Sequence, residues 1–77
     1  MADGRDEWAD RASRFLTAEL KRSGVTYEEL ARRLAELGIV ETKGAVAVKV
    51  NRGAYPAWYF FAAMKAIGRE QVNLADV

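Results

Sequence analysis

The sequence contains no cysteine and no histidine, and each absence closes off a class of chemistry. Without cysteine there is no disulfide and no thiolate nucleophile. Without histidine the commonest metal ligand and the usual general base near neutral pH are missing. Serine occurs twice, at Ser13 and Ser23, and proline once, at Pro56. No P-loop, dinucleotide or metal motif is present, and no pair of carboxylates flanks an obvious pocket. An enzyme is therefore not expected, nor a cofactor, a metal or a small-molecule substrate. The longest apolar run, Ala57 to Met64, is 8 residues, against the roughly 20 needed to span a bilayer. The first residues, Met1 to Glu7, are acidic and lack the apolar segment of a secretory signal. The expected location is the cytoplasm, with no membrane partner.

What remains is one small domain of 77 residues, with its core expected at about 6–68. A chain of this length buries only about 60% of the surface its unfolded form exposes, so it needs an efficient core or a partner subunit. Of its 39 apolar residues 14 are alanine, which favours closely packed helices. The net charge of +1 hides an uneven distribution: Asp3, Asp6, Glu7 and Asp10 crowd the first ten residues, whereas Arg11 to Arg69 holds 11 bases against five acids. A basic body with an acidic lead-in suits a polyanionic partner, and a solvated basic face has the same composition.

Periodicity divides the chain into four segments. Trp8, Ala12, Phe15, Leu16 and Leu20 recur at helical steps between Asp6 and Arg22, with acids at the start and bases at the end as the helix dipole favours. Thr26-Tyr27-Glu28-Glu29 reads as a capping box, with Leu30, Ala31, Leu34 and Leu37 forming the apolar face behind it and Gly38 ending it. From Thr42 to Arg52 the alternation of Val46, Val48 and Val50 permits a strand. However, no second strand exists to pair with it, and Thr42 can cap a helix whose face is Val46, Ala47 and Val50. Helix is the preferred reading. Pro56 suits the first turn of a fourth helix, with Phe60, Phe61, Met64 and Ile67 buried and Trp58 and Tyr59 towards its edge. The predicted fold is all-α, a compact four-helix bundle-like domain.

Three stretches then carry a resemblance: Leu20 to Ala31, Asn51-Arg52-Gly53, and Lys65-Ala66-Ile67-Gly68. Together they resemble the lambda-repressor-like family of helix-turn-helix DNA-binding domains, over about Phe15 to Gly68. The likeness is closest to an uncharacterised bacterial subgroup of short proteins that share the Trp8 to Leu20 opening and the Lys65 to Gly68 close. Small Ala31 suits the close crossing of the helix pair. The link Ala35 to Glu41 is longer than the family's tight turn.

The resemblance implies a transcriptional regulator that binds double-stranded DNA, with the third helix at the major groove. Its outward positions are expected at Lys43, Ala45, Val48, Lys49 and Arg52. The basic three can donate hydrogen bonds, and Ala45 and Val48 offer only methyl contact. Tyr27 and Asn51 or Arg52 are expected at phosphates, and Thr42, Lys43 and Gly44 at the helix N-terminus, where backbone N–H groups favour an anion. Each residue also has a plainer reading: Tyr27 as packing, Asn51 and Arg52 as a helix end, Lys43 and Lys49 as solvated charge, Gly44 as backbone accommodation. The Arg32-Arg33 pair is expected to be solvated or met by partners four residues away, such as Glu28–Arg32 and Glu29–Arg33. The aromatic cluster suggests a homodimer interface through Tyr55, Trp58 and Tyr59, with a wrapped-in core whose Trp58 N–H reaches water, or base stacking of single-stranded nucleic acid, as its other readings. The alternative function is a protein-interaction module on the same scaffold, without DNA.

Overall fold

A computed structural model describes residues 4–77; Asp3 of the acidic lead-in lies outside the described residues. Four α-helices follow one another, with no strand among the described residues: α1 (Gly4–Ser23), α2 (Tyr27–Glu36), α3 (Lys43–Arg52) and α4 (Ala57–Ala66). A single 3-10 turn, Leu74–Asp76, ends the chain. The Cα radius of gyration is 12.1 Å, close to the roughly 11.5 Å expected of a compact domain this long.

The local signals place the helix ends. Asp6 and Glu7 open α1 and Lys21 and Arg22 close it, so the charges complement the dipole at both ends. Thr26 caps α2, its hydroxyl accepting from the Glu29 N–H at 3.1 Å. The other half of the expected capping box is redirected, since the Glu29 carboxylate turns to Arg32 and Arg33. Thr42 caps α3 in the same way, accepting from the Ala45 N–H at 3.1 Å. The valine alternation resolves as helix: Val46 and Val50, four apart, are fully buried, while Val48 between them points out and is 53% exposed.

α3 packs against both α1 and α2, and α4 packs on α2. The core joins Leu16 and Leu20 of α1, Leu30 and Leu34 of α2, Val46 and Val50 of α3, and Tyr59, Ala63 and Met64 of α4. Where α3 ends, the chain meets α1 at backbone distance. Gly53 has φ +63, and a Cβ placed on it would stand 1.8 Å from the Ala9 carbonyl oxygen. Only glycine combines that dihedral with that approach. Alongside it, the Ser13 hydroxyl donates to the Asn51 carbonyl at 3.0 Å.

α4 is rotated from the expected phase. Tyr59, placed at the edge and assigned to an interface, is fully buried, whereas Phe61, placed in the core, is 66% exposed. Because Lys65 is the one charged residue of α4, the helix's own pattern selects a face only weakly. The face taken presents small Ala63 to the core, where it lets the helices approach closely. Tyr55 is also turned inward: its ring stacks on Phe60 with centroids 6.3 Å apart, and its hydroxyl donates to the Ala12 carbonyl at 3.3 Å. Tyr55 and Tyr59 therefore help bind the fold together, and Tyr59, fully buried, offers no surface to a partner. Trp58 is 55% exposed. Trp8, expected on the apolar face of α1, is exposed as well, with the Arg11 guanidinium 4.8 Å from its ring centroid.

One carboxylate is buried. Glu19 on α1 is 3% exposed and pairs with Arg22 at 3.0 Å and Arg69 at 2.8 Å. Two guanidinium partners offset the cost of removing its charge from water and tie the C-terminal segment to α1. No helix among the described residues is long and apolar enough to cross a membrane.

Candidate nucleic-acid interface

The eleven cations from Arg11 to Arg69 fall into two groups. In the first, each has an acid. Arg11 pairs with Glu7, Arg14 with Asp10, and Arg22 and Arg69 with Glu19. Arg32 reaches Glu29 at 2.7 Å and Glu36 at 2.6 Å, and Arg33 meets Glu29 at 3.1 Å. The expected Glu29–Arg33 pair is thus present, but Arg32 takes Glu29 and Glu36 in place of Glu28. Hydrogen bonds from Arg32 and then Arg33 hold the Glu29 carboxyl down to about 2. Such exposed pairs add little stability, but they leave α2's own charge largely neutralised.

The second group has no acid. Lys21, Lys43, Arg52 and Lys65 form no ion pair among the described residues. Three of them flank the helix pair. Lys21 and Lys43 line one shallow cavity of about 380 Å³ with Thr26 and Tyr27, at the N-terminus of α2. There, unsatisfied backbone N–H groups add partial positive charge. Glu28, exposed on the same turn of α2, opposes them in part. Arg52 closes α3 and is exposed.

Tyr27 and Asn51 join these two places. The Tyr27 hydroxyl donates to Asn51 Oδ1 at 3.1 Å. With its oxygen engaged, the exposed Asn51 amide keeps its two N–H donors for another partner. Tyr27 itself is half-buried and packs against the core, so its hydroxyl serves to position Asn51.

α3 presents its outer face differently from the sequence expectation. Lys49, expected outward, is turned back. Its ammonium pairs with Glu41 in the α2–α3 loop and lies 4.8 Å from the Tyr59 ring centroid. Burial and then the neighbouring Glu41 charge push the Tyr59 phenol well above its ordinary range. Lys49 therefore neutralises a mostly buried acid and is not a free groove contact. Thr42 spends its hydroxyl as the α3 cap. The exposed surface of α3 is formed by Lys43, Gly44, Val48, Asn51 and Arg52.

Gly44 stands out among these. A Cβ there would find only the Thr42 hydroxyl, at an ordinary 3.9 Å, and its φ is not positive. Neither backbone nor packing calls for glycine, which corrects the backbone-accommodation reading. Its effect is to leave the first turn of α3 bare on the outside.

Sequence reading passed over Lys21, which it placed only among the bases that close the first helix. A usable signal was present. None of Lys21, Lys43, Arg52 and Lys65 has an acid three or four residues away in either direction, whereas most paired arginines do.

These features define a small all-α domain with an unneutralised cationic rim around an α2–α3 helix pair. Residues 8–72, most of the chain, match the family described as Domain of unknown function (DUF6471), and the chain belongs to that family. No curated protein and no solved structure matches this chain.

Proposed function

We propose that the protein is a lambda-repressor-like helix-turn-helix domain that binds double-stranded DNA and regulates transcription. It acts by binding, not catalysis, in the cytoplasm and as a homodimer. The observation that carries this reading is the segregation of charge. Seven cations are paired with acids, while Lys21, Lys43 and Arg52 flank the helix pair and form no ion pair among the described residues. Phosphates would be met by these three, by the Asn51 amide and by the α2 N-terminus, which set register without reading sequence. Gly44 lets the α3 backbone come close to the groove. Val48 offers methyl contact to thymine, so base discrimination by this helix is modest.

The test is a fluorescence-anisotropy titration of random-sequence duplex DNA at two salt concentrations. Binding in the micromolar range is expected, with log K falling against log salt at a slope of about −3 for three phosphate-neutralising cations. Lys43→Glu with Arg52→Glu should weaken binding by about tenfold or more and flatten the slope, with helix content unchanged. A folded protein that does not bind at low salt overturns the reading. It would favour the second one, a protein-interaction module on the same scaffold, whose support is the exposure of Trp58 and Phe61.

A further inference from the structure

Glu19 and Glu41 are the two most buried carboxylates among the described residues, and the fold answers them differently. Each oxygen of Glu19 has its own guanidinium, Arg22 on Oε1 and Arg69 on Oε2. Glu41, its side chain 13% exposed, has one cation, the Lys49 ammonium on Oε2. Its Oε1 is buried and makes no hydrogen bond of normal geometry. A carboxylate so placed costs stability that a neutral side chain would not. The fold itself therefore does not call for an acid at position 41.

Lys49 stands at the border of two stripes of α3. Gly44, Val48 and Arg52 form the exposed stripe, and Val46 and Val50 the buried one. At about 100° per residue, position 49 falls between them. A lysine stem at such a border can carry its ammonium to either side. Here the ammonium lies inward, on Glu41 and over the Tyr59 ring.

We propose that Glu41 is a brake on nucleic-acid affinity, holding by its carboxylate an α3 ammonium that would otherwise swing onto the exposed stripe and meet a phosphate. The held pair has the same chemistry as the contact it prevents, an ammonium on an anionic oxygen. Lys49 lies three residues before Arg52, one helical step away, so once released it joins the cationic rim at that end of α3. The inference rests on the DNA reading above and adds the residue that sets how tightly that surface binds.

The test is the titration of random-sequence duplex DNA over a range of salt, with helix content as the folding control. Glu41→Gln, which keeps the size of the side chain and removes its charge, should raise affinity by about threefold or more at low salt. It should also steepen the salt slope from about −3 to about −4, for one further neutralised phosphate. Lys49→Met alone should leave the slope at about −3, because the held ammonium does not take part. The double variant Glu41→Gln with Lys49→Met should keep that slope as well, which separates release of Lys49 from the mere removal of a negative charge. Without DNA, acetylation by an N-hydroxysuccinimide ester, followed by mass spectrometry, should modify Lys49 more slowly than exposed Lys43, and at a similar rate in Glu41→Gln. A slope unchanged by Glu41→Gln overturns the brake, as does a slope flattened by Lys49→Met in the wild-type background. If neither the wild type nor Glu41→Gln binds at low salt, the DNA reading falls and the brake with it. Equal binding by both overturns the brake alone.

Discussion

Gly44 and Gly53 stand at opposite ends of α3 and have opposite surroundings. Gly53 is pressed against the α1 backbone in a left-handed conformation, while Gly44, in an ordinary helical one, has only the Thr42 hydroxyl beside it at ordinary contact distance. The same residue type therefore answers a packing demand at one end of α3 and no packing demand at the other. The contrast extends to charge. Arg32 and Arg33 on α2 and Lys49 on α3 each face an acid, whereas Lys43 and Arg52 at the two ends of α3 meet none among the described residues. A feature that costs helix stability and that the fold does not need is a sign of use by something outside the fold.

The comparison can be broken at its strongest point first. Gly53→Ala should destabilise the domain by about 3 kcal/mol or more, because left-handed strain and a backbone clash add. That is a large share of the roughly 5–10 kcal/mol available to a domain of this length. Chemical denaturation measures it, and a loss below about 1 kcal/mol would show that α1 yields easily. At the other end, Gly44→Ala should stabilise the fold by up to about 1 kcal/mol, the helix-propensity difference, while weakening DNA affinity. Equal or tighter DNA binding by that variant would remove the argument for close backbone approach.

The smallest effect concerns the neutralised side. The folded Glu29 carboxyl sits at about 2, below its ordinary 4.5. A depressed carboxyl contributes stability above its unfolded pKa and loses it as pH falls through the folded one, so this contribution should fade between about pH 4.5 and 2. Glu29→Gln should flatten that part of the stability–pH profile and leave DNA affinity nearly unchanged. A large loss of DNA binding would place the α2 network in the interface after all.

Much of this fold was legible beforehand because its signals are local. The Thr26 and Thr42 caps act within one turn of helix, and Gly38 and Gly53 end helices where expected. Four helices, and helix in place of strand at 43–52, follow from such signals together with the lack of a pairing strand. The rotation of α4 was not legible. Large apolar residues were assigned to its core face, but burial depends on which side meets α2, and small Ala63 is what allows close contact. The candidate site divides in the same way. Lys43, Asn51 and Arg52 lie exposed on α3, where local helix phase puts them. Lys49 does not, because its partner Glu41 is eight residues away across a helix boundary, beyond any helical spacing rule.

The sequence by itself determined the helices, their ends and the surplus of positive charge, since dihedral preference, capping and composition act over a few residues. Tertiary structure decided which cations remain free, which glycine is indispensable and which aromatics face out. Those outcomes depend on what stands opposite each side chain, and in this chain the opposing group comes from another helix: α1 against Gly53, α2 against α4, and the loop carrying Glu41 against Lys49.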